Sequence, residues 1–548
     1  MTSPFNNSRR KFLSTVGASA SFLTASAAGS ALGNSVSSLT LSFKKDNNHY
    51  FQHGVASGDP LAHAVILWTR ASRCEGVVDV TYFVALDPEM RNIVQEDVVT
   101  TSVERDYTIK VDVQGLKPNT TYYYQFEING FRSRVGKTKT APLDTNRARF
   151  AVVSCSNYPE GFFNVYHAVT NIDDIDAVLH LGDYIYEYAE DEYGDGSRLG
   201  RAPLPDKEIT TLNDYRTRHA QYKTDPDLAL LHATHPFITV WDDHEITNDA
   251  FKDGAENHNE GEGDYQARKA FAIKAYYEWM PIREGNIYRH FAWGNLIDLF
   301  MLDTRIEGRD QQVSSPVASE RYDSNRTLLG DAQEQWLLSN LASSSATWRF
   351  LGQQVMFGQF KGINAPNLEA AGIPLTKDII ALNMDQWDGY PESRQRVLDV
   401  IKAFNIENTV VLTGDIHTSW GMEIFEDSTN GYTYNQRIRL GEKPLAVEFV
   451  TPSVTSPGLE EPVASPLAAL IPTMNPHMKY VELKTHGFMV VDVTRNKVSC
   501  DWWYVDTIES PKYKAYLAKS LYTVSGSQRL TEQPSLGISF DYTHNPFN

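Results

Sequence analysis

The chain has 548 residues, more than one ordinary core accommodates, so two or more domains are expected. Hydrophobic residues at 41% and charged residues at 22% are the proportions of a soluble globular protein and argue against a disordered chain. The formal net charge of −19 speaks against a nucleic-acid-binding scaffold, because an acidic surface repels phosphates, whereas acidic loops suit divalent cations.

Taken in chain order, the first feature is Ser8-Arg9-Arg10-Lys11-Phe12-Leu13, followed by a mildly apolar run rich in Ala, Ser and Gly to about Leu32. Paired arginines, Phe-Leu and small residues are the pattern of a twin-arginine signal peptide over residues 1–32. A membrane anchor needs roughly 20 strongly apolar residues, and Ser, Thr and Gly dilute this run. The expectation is a periplasmic or secreted protein that engages the twin-arginine export machinery and has no stable membrane span. That route carries folded chains, often with cofactors loaded, which suits a metalloprotein. Three cysteines, Cys74, Cys155 and Cys500, are too few for a disulfide framework and leave one without a partner.

Residues 45–142 read as all-β. Strands are predicted at Ala64–Thr69, Val78–Leu86, Tyr107–Val113 and Tyr122–Ile128, with Asn129-Gly130 as a hairpin turn. The run Leu116-Lys117-Pro118-Asn119-Thr120-Thr121-Tyr122 is a tyrosine-corner signature, which points to an Ig- or fibronectin-like β-sandwich. A polar linker at Leu143–Arg147 leads into an α/β region over 147–510. Its near-continuous apolar strands start at Arg149, Ala177, Phe237, Leu299, Arg349, Thr409 and Ala446. Residues 511–548 form the tail, in which Lys512–Leu521 reads as a short helix.

Five of those strands run into polar clusters: Ser154-Cys155-Ser156-Asn157, Gly182-Asp183-Tyr184-Ile185-Tyr186-Glu187, Asp242-Asp243-His244-Glu245, Asp303-Thr304-Arg305 and Gly414-Asp415-Ile416-His417. Residues at the carboxyl ends of sheet strands converge on one crevice. A single Asp there is more often a helix cap than a ligand, but five clusters at strand ends are poorly explained by capping. Carboxylates, imidazole and thiolate together support metal-assisted hydrolysis, in which two nearby cations clamp a phosphoryl group and activate water. The structural alternatives stand beside these readings. Cys155 equally fits an inert buried thiol, Tyr186 a core aromatic, and Arg305 a structural ion pair rather than a phosphate ligand. Asp242 reads as the capping member of its pair and Asp243 as the ligand. The acidic loops Glu187–Gly196 and Lys252–Asp264 fit solvated loops, lids or a further Ca²⁺ site.

Gly182-Asp183 with Tyr186, Trp241-Asp242-Asp243-His244-Glu245 and Gly414-Asp415-Ile416-His417 resemble the PhoD family of calcineurin-like metallophosphatases. Phe51–Pro60, Trp387-Asp388-Gly389-Tyr390 and the segment from Val490 to Thr507 resemble it as well. The resemblance implies an N-terminal β-sandwich followed by a four-layer αββα metallophosphatase domain, and a C-terminal segment that covers the active site. It implies Fe³⁺ on Cys155, Asp183, Tyr186 and His417, and Ca²⁺ on Asp183, Asp243 and Asp415, with more than one Ca²⁺ bound. His244, Asp183 and Arg305 become the catalytic candidates. The implied activity is that of an alkaline phosphatase with phosphodiesterase activity on small phosphate mono- or diesters, a metal-bound hydroxide attacking phosphorus in line. The rivals are a phospholipase D-like phosphodiesterase on the same scaffold and a non-catalytic surface-binding protein.

Overall fold

The computed structural model describes residues 50–360, 383–427, 431–534 and 537–543. The twin-arginine segment lies outside the described residues, as do the first residues of the expected sandwich and the end of the tail.

Two mixed sheets carry the crevice. The first has 11 strands. At its centre Arg147–Val153, Ala177–His180 and Pro236–Thr239 run parallel. Gly487–Thr494, Lys497–Val505 and Lys512–Val524 extend it antiparallel on one side. The second has 7 strands, with Ile297–Met301, Trp348–Gln353, Thr409–Thr413 and Ala446–Val450 parallel at its centre.

Strand alternation decides which way each side chain packs. Leu299, Phe350, Val410, Leu412, Val447 and Phe449 of the second sheet join Phe150, Val152, Leu179 and Met489 of the first in one buried cluster. Their neighbours Phe300, Leu351, Val411 and Val450 face the other way, onto Leu337, Val397, Leu398, Ile401 and Leu467 of the helices Asp331–Ser343, Pro391–Ala403 and Ala464–Met474. The outer face of the first sheet meets Val165, Tyr166, Tyr215 and Leu228 of its own helices. No described helix is long and apolar enough to cross a membrane.

The predicted N-terminal strands form, and Lys117 N–H donates to the Tyr122 hydroxyl at 2.9 Å, the bond a tyrosine corner requires. Asn129 and Gly130 both have positive φ, 51° and 79°, as the tight hairpin needs. Two sheets enclose Val65, Leu67, Val80, Val84, Ile109, Val111, Tyr124 and Phe126. One of them is not confined to this unit. Val55–Gly58 pairs parallel with Pro236–Thr239, so Val55–Gly58, Ala64–Arg70 and Thr108–Gln114 continue the 11-stranded sheet. The Leu143–Arg147 linker therefore joins units that share backbone hydrogen bonds.

The helix expected at Lys512–Leu521 is a strand, Lys512–Val524, paired with Lys497–Val505 and with Ser539–Thr543. Tyr513, Ala515 and Leu517 alternate inward. Leu521 and Thr523 continue the same odd-numbered positions, and Ser520 is buried as well beside a register shift opposite Trp502 and Trp503. Tyr513, Leu517 and Leu521 thus fall at helical spacing although the chain is extended.

Two outcomes test this packing. Trp502 is fully buried and donates its indole N–H to Val450 O at 3.1 Å across the two sheets. Trp502→Ala should cost about 3–5 kcal/mol in denaturant unfolding. Burial pushes the Glu448 carboxyl up to about 7, against donors from Thr413, Phe357 and Gly358. The folded chain then holds that proton more tightly than the unfolded one, so the contribution is complete below 4.5 and lost as pH rises through about 7. The stability advantage of wild type over Glu448→Gln should shrink across that window.

Candidate active site

Three buried groups of donor atoms meet where the strand ends converge. The ligand atoms of Cys155, Asp183 and His417 lie within 4.8 Å of one another, as do those of Asp183, Asp243 and His244, and those of Asp242, Asp243 and Asp415. Asp183 belongs to the first two groups and Asp243 to the last two, so the three form one continuous cluster.

The backbone that brings them there is left-handed. Cys155, Asp183, Asp415 and His417 have φ of 62°, 55°, 65° and 58°. A non-glycine residue pays on the order of 1 kcal/mol for that region, and such residues gather at functional sites. The four positions lie in the turns that follow the strands Arg147–Val153, Ala177–His180 and Thr409–Thr413. Gly182 allows the second of these turns: φ is 107°, and a Cβ there would lie 2.4 Å from Asp242 Cβ and 2.6 Å from Asp242 N. Gly414 is similarly close to Ser154, where an added Cβ would lie 3.0 Å from Ser154 Cβ.

Glu245 ties two of these turns together. Its carboxyl accepts the N–H groups of Asp183 at 3.1 Å, Tyr184 at 2.5 Å and Asp242 at 2.8 Å. Burial, reinforced by the Asp183 charge, pushes this carboxyl up to about 8.

Around the first group the contacts are phenolic and imidazole. Tyr186 donates its hydroxyl to Asp183 Oδ2 at 2.9 Å and stands 3.3 Å from His417 Nε2, while Ser456 donates to the same hydroxyl. His417 Nδ1 faces Pro457 O at 3.1 Å, which leaves Nε2 for the cluster. Cys155 is fully buried, with its Sγ 3.2 Å from Ser154 Oγ. On the other side His244 Nδ1 pairs with Glu187 Oε2 at 2.7 Å. Burial alone would raise the Glu187 carboxyl, but His244 and donors from Asn257 and Asn248 hold it below its ordinary value. The rings of Tyr186, Tyr188 and Tyr193 surround His244, the nearest centroid 4.3 Å away.

Arg305 binds the third group. It is fully buried and donates to Asp242, to both oxygens of Asp385, and to Asp415 Oδ1 at 2.7 Å. Arg309 adds a second guanidinium on Asp385, and Gln386 donates to Asp415 Oδ2 at 2.7 Å. This matches the ion-pair reading of Arg305.

The donor chemistry fits two kinds of cation. Thiol, phenol and imidazole beside one carboxylate suit a transition ion at Cys155, Asp183, Tyr186 and His417. Oxygen-only donors at Asp242, Asp243 and Asp415 suit a hard cation.

All the expected ligands therefore reach one crevice. Glu187 and Glu245 stood in the quoted clusters without a role of their own, and Asp385, Gln386, Tyr188 and Tyr193 were not singled out in the sequence. Asp385-Gln386 lies immediately before the quoted Trp387 segment and offered the clearest signal. In the quoted Trp387 segment Trp387 donates to Gln353 Oε1, while His486, lowered to about 4 by burial and then by His417, contacts Ser453 Oγ. The Glu187–Gly196 loop lies over the crevice, because Tyr193 stacks on His244 and stands 3.4 Å from His417 Nδ1.

Comparison with known proteins agrees with this chemistry. A family model described as PhoD-like phosphatase matches residues 150–502, and one described as PhoD-like phosphatase, N-terminal domain, matches residues 37–142. Alkaline phosphatase D of Bacillus subtilis (strain 168) is 35% identical over 528 residues, covering 92% of this chain and 85% of that protein. A solved structure described as "Structure of PhoD" matches with a TM-score of 0.79 at 34% identity, covering 90% of this chain and 94% of that one. The molecule is thereby a phosphoric ester hydrolase. More particularly, the chain belongs to the PhoD-like phosphatase family.

Because Gly182 leaves no room for a side chain, Gly182→Ala should displace the Asp242–Asp243 turn and slow phosphate-ester hydrolysis by about 10²-fold. Circular dichroism should remain that of a folded chain.

Proposed function

We propose that this chain is an exported alkaline phosphatase, with phosphodiesterase activity as well, acting on small phosphate mono- and diesters at a two-metal centre. The observation that carries the reading is the pair of shared carboxylates, Asp183 and Asp243, which join three buried donor groups into one cluster. On this reading Cys155, Asp183, Tyr186 and His417 hold Fe³⁺, and Asp183, Asp243 and Asp415 hold Ca²⁺. When bound, the metals supply Lewis acidity and an activated water.

The protein groups do the rest. His244, oriented through Nδ1 by Glu187, keeps Nε2 for the phosphoryl group, where it stabilises the transition state or protonates the leaving oxygen. The rings of Tyr188 and Tyr193 limit water around that imidazole. Arg305 holds Asp242 and Asp415 at a fixed spacing. At the level of fold, the alternating clusters support a four-layer αββα metallophosphatase domain, and the Tyr122 corner supports an Ig/fibronectin-like N-terminal unit. Export through the twin-arginine machinery rests on the Arg9-Arg10 pattern.

The test is hydrolysis of a chromogenic phosphomonoester and the matching diester at alkaline pH with Ca²⁺, beside Asp183→Asn and His244→Asn. Wild type should cleave both and lose activity on chelation. Asp183→Asn should be inactive and depleted of metal. His244→Asn should keep its metals and lose about 10²–10⁴-fold in kcat. A folded, iron- and calcium-loaded wild type that cleaves neither ester would refute the reading.

A further inference from the structure

Arg218 has no part in the chemistry outlined above, yet its surroundings are unusual. It sits on the helix Leu212–Lys223, which opens with a capping box between Thr211 and Asp214, and its side chain is almost wholly buried. A buried guanidinium ordinarily faces a carboxylate. This one faces main-chain carbonyls: Nη1 donates to Tyr186 O, Nη2 to Tyr188 O and Pro205 O at 3.1 Å each and to Lys207 O at 3.3 Å, and Nε to Leu204 O at 3.0 Å. The acceptors come from the two ends of one segment, 186–207. All three guanidinium nitrogens are engaged, and Nη2 shares its two hydrogens among three carbonyls.

That segment carries working parts of the crevice. Tyr186 contacts Asp183 and His417, Glu187 fixes His244, and Tyr188 and Tyr193 pack on the same imidazole. Two of the carbonyls that Arg218 holds belong to the residues on either side of Glu187. Asn248 N–H in turn donates to Glu187 Oε1 at 2.8 Å, so the protection of that amide reports where the Glu187 carboxylate stands.

We propose that Arg218 is a positioning residue for phosphoryl transfer: it closes the 186–207 segment at its base and thereby sets Glu187 against His244. The proposal rests on the phosphatase reading for its kinetic consequence, but its structural consequence is independent of it.

The experiment compares wild type, Arg218→Lys, Glu187→Gln and the double variant, each confirmed folded by its thermal midpoint. Lysine keeps the charge and loses the fork. Arg218→Lys should lower kcat by about 10²-fold with KM within about twofold, the scale expected for a small misplacement of a catalytic group. Both substitutions act through His244, so the double variant should be no slower than the slower single one. Hydrogen exchange should show the Asn248 amide and the 186–207 backbone losing protection in Arg218→Lys. Unchanged exchange at Asn248 would overturn the proposal whatever the activity. So would kinetic losses that multiply fully in the double variant, or wild-type kcat in Arg218→Lys. Absence of hydrolysis in wild type would instead strike the phosphatase reading, with the exchange measurement still deciding the role of Arg218.

Discussion

The salt bridges of Arg305 with Asp242, Asp385 and Asp415 form where solvent does not reach either partner. Removing a charge from water costs several kcal/mol, so each of these groups depends on the others remaining in place. Burial pushes the Asp385 carboxyl up, but Arg305 and Arg309 together hold it far below the ordinary carboxylate range. Two guanidinium groups, Arg305 and Arg309, stand among five buried carboxyl groups, those of Asp183, Asp242, Asp243, Asp385 and Asp415. The excess of carboxyl oxygens is the physical reason that the crevice suits cations.

A second constraint, the backbone, follows from the need to crowd those carboxylates. Cys155, Asp183, Asp415 and His417 all take left-handed conformations that are unfavourable in isolation. Gly182 and Gly414 let the turns approach, and Glu245 stitches two of them through main-chain N–H groups. The apolar layers on both sides of the second sheet provide the rigid frame that offsets this strain. Local disfavour at the strand ends is therefore the counterpart of regular packing behind them.

How much of this was legible in the sequence depended on whether a signal was local. Apolar strands followed at once by Asp, His or Cys announced themselves, because each strand and its terminal residue are adjacent in the chain. The pairing of Val55–Gly58 with Pro236–Thr239 was not readable, since nothing in either segment encodes a partner some distance away in sequence. The strand Lys512–Val524 misled because Tyr513, Leu517 and Leu521 stand four apart, a spacing that suits a helix face as well as a strand face. The roles of Glu187, Glu245 and Arg218 were not readable for a different reason. Each is a single polar residue whose meaning lies in what it touches, and motif spacing carries no such information.

The parallel pairing of Val55–Gly58 with Pro236–Thr239 has a consequence for how this chain is made. Residues near the amino terminus of the β unit must wait for a strand synthesised much later before their sheet can close, and such non-local pairing slows folding. Until then Pro236–Thr239 and Val55–Gly58 each present an open edge, the form of surface on which chains associate wrongly. A nascent chain of this architecture gains from being shielded until synthesis is complete. Cutting the molecule at the polar linker near Leu143 would expose the same two edges permanently, so neither half is a natural unit for separate expression.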